Sequence, residues 1–240
     1  KRGVLYVGDC KMAALETRAY LAASQDHYLC PLPAVQMPAA TLQALLAPVW
    51  AGEQALTPVH RASETAADQA EHIANGFSTW VTLTSAAGLQ WQEQRLVVQS
   101  LKHAEAQQQA LDKRLQQAEK DILGLNRRGR GRKRRDEAQT RAAVEAILKR
   151  HEVTSLLEVA YQVETHTTRK RAYLTRPARE VTTVTVTVDV ARDTAAYEEH
   201  VRTLGWRVFA CNDPELDLGE AVLAYREEYL VERGFNRYRG

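Results

Sequence analysis

Short apolar runs and helical periodicity alternate at both ends of the chain, and a different pattern fills the middle. Val4, Leu5, Tyr6, Val7 and Gly8 run into Asp9, the pattern of a buried strand delivering an aspartate at its C-terminal end. Met12, Leu15, Ala19 and Ala22 recur at three-to-four spacing and predict a helix over 11–24. Tyr28, Leu29 and Cys30 read as a second short strand, stopped by Pro31 and Pro33. Strand, helix and strand in this order predict a right-handed crossover in a parallel sheet.

From Pro38 the character changes. Residues 40–47 predict a short helix ended by Pro48, and residues 53–75 are polar with weak periodicity. Phe77–Thr84 and Trp91–Gln99 read as strands joined by a turn at Ala87-Gly88. The clearest helix follows. Leu101, Ala104, Gln108, Leu111, Leu115, Ala118, Ile122 and Leu125 are spaced 3, 4, 3, 4, 3, 4, 3, a heptad seam with one polar member. A second helix, about 136–150, carries Ala143, Val144, Ile147 and Leu148 on one side, and an antiparallel helical hairpin is the simplest packing. Valines 159 and 163, then 184, 186, 188 and 190, alternate with polar residues and predict an antiparallel sheet with one wet face.

The last fifty residues return to α/β order. A helix at 193–204 has Asp193 and Thr194 as caps and ends at Gly205. Trp206–Ala210 is a strand, Asn212-Asp213-Pro214 a turn, and a final helix runs from about Asp217 to Tyr238. The expected organisation is therefore an α/β core in two pieces, 1–37 and 191–240, interrupted by an α+β insertion over 38–190.

Composition adds exclusions. The chain has 240 residues, 45% hydrophobic and 26% charged, near the globular average. No apolar run approaches the roughly 18 residues a membrane span needs, and no secretory leader opens the chain. Cys10, Cys30 and Cys211 are an odd count without CxxC spacing, which argues for reduced cytosolic thiols over a disulfide framework or zinc cage. A chain opening on Lys1 directly into a strand pattern reads as an excerpt of a longer protein.

Net charge is only +2, but its distribution is uneven. Residues 127–135 hold seven cations in nine positions: Arg127, Arg128, Arg130, Arg132, Lys133, Arg134 and Arg135. So dense a run favours nucleic-acid phosphates, because each cation placed there releases a condensed counterion. Glycine spacing at Gly129 and Gly131 suits sequence-tolerant backbone contact. A solvated connector is the plain alternative.

Two carboxylates are candidate chemistry. Asp9 stands where ligands bind in open parallel sheets, but an N-cap aspartate worth roughly 1 kcal/mol has the same signature. On the final helix Tyr225, Glu232 and Arg239 share one face at seven-residue spacing. Glu228 lies one turn before Glu232, a like-charge pair that an idle helix would avoid, unless Arg226 and Arg233 pair with it. There is no Walker loop, HExxH, GxSxG or GxGxxG. The histidines are read as structural, and Trp50, Trp80, Trp91 and Trp206 as core.

The segment Val7-Gly8-Asp9-Cys10-Lys11-Met12-Ala13-Ala14 and the later Tyr225…Glu232…Arg239, with a long insertion between, resemble DDE transposases of bacterial insertion sequences. The resemblance is to the group with a Tyr-x2-Arg-x3-Glu-x6-Lys signature. Tyr225 and Glu232 match it, Arg239 takes the Lys position, and Glu228 stands where the signature has Arg. The resemblance implies a ribonuclease-H-like core in which three carboxylates hold two Mg²⁺ (or Mn²⁺) ions about 4 Å apart around the scissile phosphate. Oxygen ligands suit such hard cations. Asp9 would be the second acidic residue and Glu232 the third, both catalytic and metal-binding, with Tyr225 and Arg239 contacting DNA. The first would lie on an upstream strand, so this excerpt alone is expected to be catalytically inactive. Implied partners are transposon-end and target DNA, a homodimer in the DNA complex, and no membrane; the implied location is the bacterial cytoplasm, at the nucleoid when bound. The competing reading is a non-catalytic DNA-binding or coiled-coil interaction module built on residues 101–150. A phosphohydrolase with Asp9 as nucleophile is weaker, since no second aspartate follows at short spacing.

Overall fold

The computed structural model describes residues 3–62, 70–127, 135–172 and 177–227. In chain order its elements are β1 (Leu5–Val7), α1 (Leu15–Ala23), β2 (His27–Pro31), α2 (Ala39–Trp50), β3 (Thr57–Arg61), β4 (Glu71–Thr84), β5 (Gln90–Ser100), α3 (Leu101–Gly124), α4 (Glu137–His151), β6 (Leu157–Lys170), β7 (Arg179–Arg192), α5 (Thr194–Arg202) and β8 (Trp206–Cys211). A last helix, α6, covers described residues 218–227. The chain divides into two compact units, Lys1–Ala106 with Thr203–Gly240, and Gln107–Arg202.

The first unit is mixed α/β. Its six-stranded sheet has the order β1-β2-β8-β5-β4-β3. The β1–β2 pair is parallel, as the crossover pattern predicts, and every other pair is antiparallel. Both faces of the central strands are covered. Leu29, Leu96, Val98 and Phe209 pack with Leu218, Ala221 and Val222 of α6 on one face. Tyr28, Cys30, Phe77, Val97 and Val208 pack with Leu46 of α2 on the other. Two covered faces explain why β2, β5 and β8 are apolar at adjacent positions. Gly76 is required by packing: a Cβ there would meet the Val97 carbonyl oxygen at 2.6 Å, under Leu218. Gly205, at φ +78°, turns the chain against the Ser100 carbonyl.

The boundaries expected at 37/38 and 190/191 differ from those observed. Residues 38–106 lie in the first compact unit, since β5 pairs with β8 through six residues, Gln94–Gln99 against Trp206–Cys211, and β8 pairs with β2. Pairing across such sequence distance leaves no periodicity signal. Residues 57–61 form an edge strand where the sequence reads as polar and weakly periodic. The helix expected at 11–24 is broken. A 3-10 turn at Cys10–Ala13 precedes α1, and Ala14 between them is extended. The buried positions of α1 are Arg18 and Ala19, while Leu15 is exposed. Helix α2 continues through Pro48 to Trp50. Trp206 is buried, but Trp50 and Trp80 are substantially exposed.

The second unit follows its pattern closely. Leu111, Leu115, Ala118 and Ile122 of the seam pack on Val144 and Ile147 of α4, but also on Leu157 and Val188 of the β6–β7 ribbon. Between the two helices Asp121 pairs with His151, and Arg114 with Glu152 just past the end of α4. The polar seam member Gln108 is satisfied by the Tyr197 hydroxyl, which donates to Asp112. Helix α4 begins with a capping box between Asp136 and Gln139, and Asp193 caps α5 by accepting from the Ala196 N–H.

At the heart of the first unit is a buried ionic cluster. Glu93 on β5 is fully buried and accepts from Arg18 of α1 and, at 2.5 Å, from the Tyr28 hydroxyl of β2. Arg95 Nη2 lies 2.8 Å from its other oxygen. The Trp91 indole N–H donates to the Tyr28 oxygen at 2.8 Å. Burial, reinforced by the Glu93 charge, raises the Tyr28 phenol, and burial lowers Arg95. Removing one member leaves buried charge uncompensated. Glu93→Ala should therefore lower unfolding free energy by about 3–5 kcal/mol in urea titrations. Glu71→Ala, which breaks the exposed Arg61–Glu71 pair, should cost less than about 1 kcal/mol.

Candidate functional site

Strand β1 ends at Val7, and the Gly8 N–H still bonds the Leu29 carbonyl at 3.1 Å before the chain turns at Asp9. Leu5 and Val7 face the core beneath α6. Asp9 follows at the same two-residue spacing with extended backbone, φ −77° and ψ −176°. Its Oδ1 accepts from the Lys11 N–H at 2.8 Å, so Asp9 is the N-cap of the 3-10 turn. That bond uses one carboxylate oxygen and leaves the other to a second partner. The turn is anchored from behind, since the Ala13 carbonyl accepts from Arg18 Nε at 3.1 Å and from Gln36 Nε2 at 2.8 Å.

Helix α6 starts in a capping box. Asp217 accepts from the Glu220 N–H at 2.7 Å, and Glu220 accepts from the Asp217 N–H at 3.2 Å. Leu218 sits over Gly76 on β4, and Tyr225 packs edge-on to Phe209 of β8 with ring centroids 4.8 Å apart. In sheet order β8 lies two strands nearer to β1 than β4 does, so the helix crosses the sheet toward β1. Phe209 is level with Pro31, and Val7 is level with Leu29. Extending that register puts position 9 in one row with Pro31 and Phe209. Two strand spacings, about 10 Å, separate Asp9 from the strand under Tyr225.

Arg226 turns the other way, toward the Ile73 carbonyl and the Ser100 hydroxyl. Burial, with the Arg61 charge, lowers its guanidinium. A cavity of about 330 Å³ beneath α6 is walled by Leu96, Val98, Phe209 and Val222. Among the described residues its lining also holds Ser100, His103, Arg207 and Arg226 but no carboxylate for a hard cation.

Glu228, Glu232, Arg233 and Arg239 lie outside the described residues, as do Arg128, Arg130, Arg132, Lys133 and Arg134. Among the described residues no group of three or more His, Cys, Asp or Glu side chains could hold a metal ion, and no helix is long and apolar enough to cross a membrane. Arg127 and Arg135, which flank the basic run, are exposed. Asn126, just before it, clamps the ribbon by donating to the Val188 carbonyl at 2.7 Å and accepting from the Val188 N–H at 2.8 Å. Sequence reasoning gave no warning of Arg18, Gln36 and Glu93 behind the Asp9 turn. Gln36 is uncharged, and Arg18 and Glu93 stand among other polar residues, so no local pattern marked them.

All three thiols are free, Cys10 exposed and Cys30 and Cys211 buried. Burial pushes Cys30 up to about 12 and Cys211 up to about 11. Comparison with protein-family models, curated proteins and solved structures finds no match to the chain.

The cap and a ligand role can be separated experimentally. Asparagine caps as well as aspartate, so Asp9→Asn should leave unfolding free energy unchanged within a few tenths of a kcal/mol, whereas Asp9→Ala should cost about 1 kcal/mol. Equal losses in chemical denaturation would show that the Asp9 charge itself stabilises the turn.

Proposed function

We propose that the chain is part of a DDE-type transposase. It would cleave insertion-sequence ends and transfer strands, with Asp9 and Glu232 as two of three carboxylates of a ribonuclease-H-like site. The observation that carries this reading is the path of α6. The helix bearing Tyr225 crosses toward β1 on the face to which Leu5 and Val7 point, and Tyr225 stands over the row that ends at Asp9. The sequence pattern predicts that the helix runs on to Tyr238, which would put Glu232 two turns past Tyr225, roughly 10 Å farther along the axis. A second support is the sheet edge. Strand β1 is outermost, so a strand bearing the first carboxylate has a place to pair beside Asp9. The donors fit Mg²⁺ or Mn²⁺, being carboxylate oxygens with one Asp9 oxygen left over from capping. Such ions, when bound, would activate the attacking hydroxyl and stabilise the leaving oxygen. The chain's own contribution is to hold Asp9 on a turn braced by Arg18 and Gln36, and to place Tyr225 and Arg239 along the DNA.

Iron-directed cleavage tests the convergence. With Fe²⁺ and ascorbate, the polypeptide should be cut near residue 9 and near residue 232, and Asp9→Asn or Glu232→Gln should suppress both cuts. Cutting at one position only, or cuts indifferent to both substitutions, would overturn the reading.

The alternative, a non-catalytic DNA-binding module, rests on the basic run alone and needs no convergence. Both readings expect phosphate contact from that run. Changing Arg132, Lys133, Arg134 and Arg135 to Ala should flatten the salt dependence of DNA affinity by roughly 3 to 4 logarithmic units of slope if all four reach phosphates. All duplex sequences should weaken about equally. An unchanged slope in anisotropy titrations would make the run a connector.

A further inference from the structure

The second unit carries a ribbon that its own core does not use. Strands β6 and β7 pair through fourteen rungs, from Leu157 opposite Arg192 to Lys170 opposite Arg179. Packing stops partway. Tyr161 and Val188 form the last rung with a buried member, and beyond it no described ribbon residue is buried. Nine residues at about 3.3 Å each carry the tip roughly 30 Å past that rung. A two-stranded ribbon with no core behind it is marginally stable in water. A length this great beyond the packing is therefore suited to a partner that lies along it.

The chemistry of the distal half points to the partner. Arg169, Lys170, Arg171 and Arg179 cluster at the tip, all exposed, against one acid, Glu180, opposite Arg169. The other distal acid, Glu164, is engaged by His166 on its own strand. Most remaining distal positions are threonines, among them Thr165, Thr167, Thr168, Thr182, Thr183 and Thr185. Their hydroxyls can meet phosphate or base-edge acceptors without bulk. The B-DNA major groove, about 12 Å wide, admits a two-stranded antiparallel ribbon. The root of the ribbon is also basic. Asn126, clamped to Val188, leads directly into Arg127 and the cationic run.

We propose that the distal β6–β7 ribbon is a duplex-DNA arm that enters a groove with its basic strand ends, Arg169, Lys170, Arg171 and Arg179. This rests on the chain being a DNA-binding protein, and not on the metal site. The apolar remainder of the ribbon, Val163 at 46% and Val184 at 39% exposure, could instead seat a second copy of the chain, and the test separates the two.

The experiment uses the full 240-residue chain and a fluorescent 30-base-pair duplex. The quadruple variant Arg169→Ser, Lys170→Ser, Arg171→Ser, Arg179→Ser removes the tip charge without touching the buried core. Affinity at 0.1 M salt should fall about tenfold or more, and the log–log salt slope should flatten by roughly 3. A second measurement does not depend on charge removal. Thr168→Cys in a Cys10→Ser background, labelled with iron-EDTA, should cut the duplex at a localised site. Unchanged affinity and slope, or no localised cutting, overturns the arm. Equal competition by a single strand of the same length also overturns it. So does a DNA-free dimer that Val163→Ser with Val184→Ser dissociates while DNA binding persists. A working ribbon alongside failed iron cleavage at residues 9 and 232 would sink the transposase reading and leave the arm standing.

Discussion

The buried carboxylate of Glu93 is the constraint around which the first unit is arranged. A charge taken out of water is tolerable only with partners at good geometry, and Glu93 draws them from three elements: Arg18 of α1, Tyr28 of β2 and Arg95 of its own strand. Those partners are then not free to move. Arg18 also holds the Ala13 carbonyl, and Gln36, which accepts from Arg18, holds the same oxygen. The backbone that follows Asp9 is therefore fixed by a group on a strand more than eighty residues away. An arrangement of this kind supplies rigidity to a candidate ligand at the position where the chain would otherwise be a loose turn.

The same cluster explains what was legible in the sequence and what was not. Local periodicity was enough for the second unit, because its contacts are seam on helix and strand on adjacent strand. The spacing of Leu111, Leu115, Ala118 and Ile122 and the alternating valines of β7 state their partners directly. In the first unit the decisive pairings are non-local. Strand β5 joins β8 more than one hundred residues later, so nothing near Gln94–Gln99 announces that they belong with β1 and β2. The division into compact units consequently does not follow the change of pattern at Pro38. The α1 face was misread in part for a related reason: Ala19 of the expected face is buried and Leu15 is exposed, while the other buried position is Arg18, whose burial makes sense only once Glu93 is opposite it.

The candidate site was legible in part. Asp9 at a strand end and the helix carrying Tyr225 were both visible, and the register now relates them through Pro31 and Phe209. The bracing behind Asp9 was not visible, since a glutamate, an arginine and a glutamine scattered over 75 residues form no motif. Asp9 also shows that the competing readings were not exclusive. Its Oδ1 caps a turn, and capping a turn is a way of pointing a carboxylate.

Charge is partitioned in the same manner as structure. Within the first unit three cations are committed: Arg18 and Arg95 neutralise Glu93, and Arg226 is half-buried against Ile73 and Ser100. Committed cations hold their geometry but release few counterions when a polyanion approaches, because they were never fully solvated. The second unit pairs Arg192 with Glu119 and Arg114 with Glu152 but also carries solvated cations. Arg127, Arg135 and the four cations of the ribbon tip are exposed, and they sit on elements anchored at a defined point by Asn126 and Val188. Solvated charge on an anchored support is what counterion release requires, since affinity then comes from freed ions and orientation from the anchor. Both kinds occur in one chain, and only the solvated kind adds to polyanion affinity in this way.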